Sequence, residues 1–281
     1  MTTTIEIEPL SPVVGAEVRG IDLKQPIDDA TAEILRDAFA RYAILCVPGQ
    51  KLSATAHARF ASVFGPADTA YRVQSGYGGA AVKARGVMLV SNIRKDGVPI
   101  GSLPDGEMHF HSDGAHRDVP YAATTLYAVE IPSRGGDTLF ANLAAAYDAL
   151  DDGMKTRLHG LQVRNLYGYD DTFREETTDE NAPNSSAATH DLVRLHPVTG
   201  RRSLYLSRLM TRYVIGMDRN ESDALLHALF DHAEKPEFVY AHKWAVNDLV
   251  IWDNCSLNHA RTDFPAEERR LLRRYTITEH R

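Results

Sequence analysis

The chain has 281 residues, 43% of them apolar and 25% charged, with a net charge of −7. That length can bury a sizeable core, and the acidic balance argues against a nucleic-acid surface, which needs a basic patch. Cys46 and Cys255 make no disulfide framework, no apolar run reaches the length of a membrane span, and Met1–Glu6 carries no basic-then-apolar leader, so one cytoplasmic domain without a membrane partner is expected.

Alternating apolar and polar residues from 5 to 23, with glycines at 15 and 20, predict two short strands. Asp28 to Tyr42 has helical spacing, with Asp28 or Asp29 as N-cap, and the apolar run Tyr42 to Val47 is a buried strand stopped by Pro48-Gly49. Ser53 opens a second amphipathic helix that ends at Phe64-Gly65-Pro66. Its His57 is expected to be solvated. The Gly-, Ala- and Tyr-rich stretch 68–86 has no packing period and reads as a flexible loop, followed by a strand from Val87 to Ile93 and a turn at Lys95-Asp96-Gly97.

Met108 to Gly114 reads as extended, and residues two apart in a strand share a face, so His109, His111 and Asp113 point the same way. Two histidines and a carboxylate on one face of an octahedron are the donor set of non-haem iron(II) oxygenases. The residues leave two ligand pairs open, His109 with His111 and His111 with Asp113. A hard anionic donor beside neutral imidazole favours the second. The third ligand should be a distant histidine, and His259 closes the segment Leu249 to His259, where a buried-looking strand runs into a polar turn. His116 and Arg117, just past the motif, are expected at the surface.

Tyr121 to Glu130 is a predicted strand, residues 132–138 are a tight turn feeding another, and one helix is expected from Asn142 through Leu150 towards Leu158. The polar stretch 168–190 is expected as a flexible lid or insertion. Leu192 to Pro197 and Ser203 to Leu206 are strands around a turn at Thr199-Gly200. Glu221 to Ala233 is an amphipathic helix with Leu225, Leu226, Leu229 and Phe230 on its buried face, leaving His227 and His232 exposed. Phe238 to Trp244 is a strand. Arg270, Leu272 and Arg274 then share one face of a final strand, eleven to fifteen residues after His259. Paired guanidiniums suit the capture of carboxylates.

With these residues in view, the chain resembles the iron(II)- and 2-oxoglutarate-dependent dioxygenases of the taurine dioxygenase type (TauD/TfdA). The resemblance runs from Val14 to Thr276 and is most specific at His111-Ser112-Asp113, Gly135-Gly136-Asp137-Thr138, Trp252-Asp253-Asn254, His259 and the Arg270/Arg274 pair. It implies a β-rich α+β fold, a double-stranded β-helix or jelly roll with flanking helices, and a dimer or tetramer. It implies that His111, Asp113 and His259 ligate iron(II) and that Thr138 and Arg270 bind 2-oxoglutarate, with dioxygen as second co-substrate. Arg274 would meet the co-substrate's other carboxylate or an anionic group of a small organic substrate. His109, Glu107, Arg72 and Tyr77 are further substrate-contact candidates. A zinc-dependent hydrolase or isomerase of cupin type is the alternative, since two histidines and an acid also suit zinc.

Overall fold

Leu249-Val250-Ile251-Trp252 shows in one strand how the layers are arranged. Its side chains alternate between two cores, Leu249 and Ile251 entering one, Val250 and Trp252 the other. The fold is a β-rich α+β arrangement, seen in a computed structural model that describes residues 4–68, 87–102, 106–167 and 186–281.

The strands in chain order are β1 (Glu6–Pro9), β2 (Ala16–Arg19), β3 (Ile44–Val47), β4 (Met88–Ser91), β5 (Arg94–Lys95), β6 (Val98–Pro99), β7 (Met108–His111), β8 (Ala123–Glu130) and β9 (Thr138–Asn142). There follow β10 (Gln162–Tyr167), β11 (Ser186–Asp191), β12 (Val193–Leu195), β13 (Arg202–Leu204), β14 (Thr211–Val214), β15 (Val239–His242), β16 (Leu249–Asp253), β17 (Leu257–Arg261) and β18 (Leu271–Ile277). A seven-stranded sheet has the order β1-β2-β3-β16-β8-β18-β4, and a four-stranded sheet has the order β15-β9-β17-β7. One core lies between them, built from Ile44, Leu126, Val250, Trp252 and Leu272 of the larger sheet and Phe140, Leu257 and Trp244 on the other side.

The outer face of the large sheet is covered by α1 (Asp29–Tyr42) and α2 (Ala54–Ala61), which bury Leu35, Phe39 and Phe60 against Leu45, Val47, Ile251 and Tyr275. Asp28 caps α1 by accepting from the Thr31 amide at 2.7 Å, and Ser53 caps α2 through the Ala56 amide at 3.1 Å. A third core joins α3 (Leu143–Asp148), α4 (Asp152–Leu158) and α5 (Arg219–Ala233) to the smaller β elements. Among the described residues no helix is long and apolar enough to cross a membrane.

Three expectations need correction. The single helix from Asn142 to Leu158 is two, because the Asp151 side chain accepts from the Met154 amide at 2.7 Å and starts a new helix there. Residues 186–190 of the expected insertion belong to β11, paired along β10, whereas 168–185 lie outside the described residues. His57 is not solvated: it is fully buried, its Nε2 lies 2.8 Å from the Thr125 hydroxyl, and its ring meets Tyr275 edge-on.

Candidate metal centre and co-substrate wall

β7 and β17 run antiparallel with His111 opposite His259, which brings their ring centroids to 4.1 Å. Asp113 lies two residues past the end of β7, not on the strand as expected, and the chain turns away at Gly114, where φ is +77° and a Cβ would lie 2.8 Å from the Tyr121 ring. The Nε2 atoms of His111 and His259 each lie 3.8 Å from an Asp113 carboxylate oxygen, one on Oδ1 and the other on Oδ2. All three ligating atoms fall within 4.8 Å of one another in a nearly closed setting.

Neighbouring groups fix each donor. The Nδ1–H of His111 donates to the His109 carbonyl at 2.9 Å, which leaves Nε2 as the lone-pair nitrogen facing the cluster. Asp113 Oδ2 accepts from the Thr124 hydroxyl at 2.6 Å. Asn254 gathers the surroundings: its side-chain carbonyl accepts from the Trp252 indole at 3.1 Å, its amide donates to Thr124 at 3.1 Å, and its backbone carbonyl accepts from Ser112 at 2.7 Å. Asp253 accepts from the Cys255 and Ser256 amides, closing the turn that starts β17.

Burial by itself would raise the Asp113 carboxyl, but the charge of Arg274, helped by the Thr124 hydroxyl, outweighs it and holds the acid well below the usual carboxylate range. Arg274 does this at 2.8 Å from Asp113 Oδ1. Both imidazoles are lowered, chiefly by burial, and so are neutral donors beside one anion. Two neutral nitrogens and a carboxylate suit a divalent first-row ion with open positions.

A second feature lies on the adjoining strands. Arg270 is 2% exposed, and its only acceptor among the described residues is the Gly136 carbonyl at 3.2 Å, while Nε and Nη1 have no partner. Burial, then the nearby charge of Arg261, lowers the Arg270 guanidinium to about 9, so it remains a cation at neutral pH. Gly136, at φ +67°, leaves the room: a Cβ there would sit 3.1 Å from Arg270 Nε. Thr138 is buried opposite Arg261 in the β9–β17 ladder, and its hydroxyl accepts from the Trp244 indole at 3.0 Å. A buried cation with idle donors has the chemistry to receive a carboxylate.

His109 and Glu107 are exposed and stand outside the donor cluster, while Arg72 and Tyr77 lie outside the described residues. His116 is half-buried with its ring stacked on Tyr167, Arg117 and His227 are exposed, and His232 is half-buried, hydrogen-bonded to the Ala146 carbonyl at 2.8 Å. Sequence reasoning missed Thr124, Trp244 and Arg261. Thr124 carries a signal in retrospect, because a polar residue in the buried run Ala123–Ala128 of β8 demands a partner.

Two histidines and a carboxylate gathered in a β-rich fold make a candidate metal centre, the class of site found in metal-dependent oxygenases. Residues 6–276 match the model of the "Taurine catabolism dioxygenase TauD, TfdA family", and the chain belongs to that family. It is therefore an iron(II)- and 2-oxoglutarate-dependent dioxygenase that also consumes dioxygen. It is 33% identical to the (S)-phenoxypropionate/alpha-ketoglutarate-dioxygenase of Sphingobium herbicidovorans, over 97% of this chain and 94% of that one. It is 34% identical to pentalenolactone F synthase of Streptomyces arenae, over 92% and 90% of the two chains. The crystal structure of AAD-2 in complex with Mn(II) and N-oxalylglycine superposes with a TM-score of 0.81 at 32% identity, covering 99% of this chain and 98% of the other. These relatives support the oxygenase reading over the zinc-dependent hydrolase or isomerase.

Proposed function

We propose that His111, Asp113 and His259 hold iron(II), that Arg270 and Thr138 bind a 2-oxoglutarate carboxylate, and that Arg274 selects a small anionic substrate. The observation that carries this reading is the pairing of a buried three-donor cluster with a buried guanidinium that has two idle N–H groups. The donor set fits iron(II), and the Arg270 donors fit a carboxylate. Iron(II), when bound, supplies the redox chemistry that couples decarboxylation of 2-oxoglutarate by dioxygen to hydroxylation of a C–H bond, with succinate and carbon dioxide as co-products. Hydroxylation beside oxygen, nitrogen or sulfur leads on to C–O, C–N or C–S cleavage.

The chain's own residues position and shield. His109 and Thr124 hold His111 and Asp113 in their ligating orientations, Arg270 anchors the co-substrate by charge, and Thr138 adds a hydroxyl. Arg274 retains a buried Nε without a partner beyond its bond to Asp113, so it has a donor for a substrate anion. Phenoxypropionate, named for one relative, is a carboxylate of the kind this cation would capture. We read the seven- and four-stranded sheets as the walls of a double-stranded β-helix, and the chain as one domain, dimeric or tetrameric and cytoplasmic, with no nucleic-acid or membrane partner.

The test follows succinate release with iron(II), ascorbate and 2-oxoglutarate across small carboxylates, sulfonates and uncharged analogues. Turnover stimulated by anions, and cut by Arg274→Met, is expected. Equal stimulation by uncharged analogues would remove the role given to Arg274. Succinate release at the wild-type rate from His111→Ala or Asp113→Ala would remove the ligand set.

A further inference from the structure

Away from the catalytic cluster, three buried donors of a different chemical kind meet where the two sheets come together. Cys46 on β3, His242 at the end of β15 and Asp248 in the turn before β16 place one ligand atom each within 4.8 Å of the others, and all three side chains are buried. We propose that they form a second metal site, selective for a thiophilic divalent ion of the zinc type, that ties the sheets together behind the co-substrate wall.

The His242 ring carries the main evidence. Its Nδ1 is 3.2 Å from the Tyr240 hydroxyl, whereas Nε2, on a side chain 5% exposed, has no hydrogen-bond partner and is aimed at Asp248 Oδ2, 3.7 Å away. That gap is too long for a hydrogen bond. It suits two atoms that bind one ion at about 2.0–2.2 Å each. A buried imidazole nitrogen left without a partner beside a carboxylate is costly, and a cation between them removes the cost. The neighbouring group His196, Asp253 and His280 lacks this feature. There the Val198 and Thr199 amides donate to His196 Nδ1, so Nε2 carries the proton and gives it to Asp253 at 2.8 Å.

The donor types set the ion. A thiolate prefers zinc to iron(II), magnesium or calcium, and the catalytic cluster has no sulfur. Thiolate, carboxylate and neutral imidazole cancel a double positive charge, so the loaded site is electrically neutral and can stay buried. Burial, Asp248 and Glu17 push the Cys46 thiol up, and the two acids make the same spot attractive to a cation. Glu17 lies opposite Cys46 in the β2–β3 pairing, is partly exposed and is ion-paired with Arg19, which marks the side of entry.

The position links the ion to the established chemistry. His242 pairs with Thr138 across β15 and β9, and its ring meets edge-on the indole of Trp244 that donates to Thr138. The ion would therefore fix the wall on which the Thr138 hydroxyl stands.

Cobalt(II) provides the test, because only a thiolate ligand gives a sulfur-to-cobalt charge-transfer band, and the catalytic donors contain no thiol. The full chain, stripped with a chelator, is titrated with cobalt(II) alone. Two equivalents and a charge-transfer band are expected. Cys46→Ser should lose the band and one equivalent, Cys255→Ser should keep both, and His111→Ala/Asp113→Ala should keep the band while losing the other equivalent. Should Cys46→Ser fail to fold, His242→Gln serves in its place, with weakening of the band as the expected result. One equivalent without a band in folded wild type, or a band undiminished in Cys46→Ser or His242→Gln, overturns the proposal. The outcome at the catalytic centre is read separately in the same titration.

Discussion

Arg270 is a residue whose burial makes sense only with a ligand. Two of its donors have no partner among the described residues, and a buried unpaired cation destabilises a fold. Arg270→Met is expected to raise the KM for 2-oxoglutarate by about 10- to 100-fold, the loss of about 1.5–3 kcal/mol of charged hydrogen bonding, and to raise the unfolding midpoint of the ligand-free protein. Initial-rate kinetics and urea titration check the two halves, and a fall in the midpoint would refute the second. Asp113→Ala should cost 2-oxoglutarate turnover a factor of about 10³ or more while the folded fraction is kept, as seen in succinate assays beside circular dichroism.

His57 provides a pH prediction at the same scale. Burial, and then Arg273, holds its imidazole down at about 3. The unfolded chain binds the proton below about pH 6.5 and the folded one does not, so stability falls as the medium is acidified through that window. Between about pH 6.5 and about pH 5 the loss from this one group is about 2 kcal/mol. Urea midpoints at the two pH values should differ less in His57→Asn than in wild type. An unchanged difference would show that His57 does not set the slope.

At the scale of the element, the turn between β16 and β17 does more than reverse the chain. Asn254 within it holds Trp252, Thr124, Ser112 and the Asp113 amide, three of them on β8 and the loop after β7. Asn254→Ala is expected to lower iron(II) affinity about 10- to 100-fold, measured by competition with a chelator, although Asn254 contributes no ligand. The parts legible in the sequence were those governed by a local period or cap. The extended run at Met108–His111 was legible from its pattern, whereas Asp113, expected on the same strand, lies past its end in a turn; Asp28 and Ser53 are caps whose effect acts within three residues. The burial of His57 was not legible, because Thr125 and Tyr275, which enclose it, are 68 and more residues away and belong to strands whose pairing no local pattern reveals. The break at Asp151 was hidden by an apolar pattern that continues across it.

For the whole molecule, the order of the large sheet is the governing fact. β8, in its interior, is flanked by β16 and by β18, the last strand in chain order. β8 sends Thr124 to the metal centre and Thr125 to the helices, so a one-residue slip in its pairing would exchange the two environments. Such non-local pairing is slow to form. Deleting Leu271–Ile277 is expected to leave a chain that neither protects its core amides from hydrogen exchange nor binds iron(II) at the catalytic site; protection of β8 in that variant would refute this.

The placement of β18 between β8 and β4 also bears on how the protein is made. Under the proposed roles, the seating of this one strand completes the frame around the donor cluster and delivers Arg274 to Asp113 at the same time. The grip on the metal and the grip on the anions are thus acquired together, and a half-formed chain has neither.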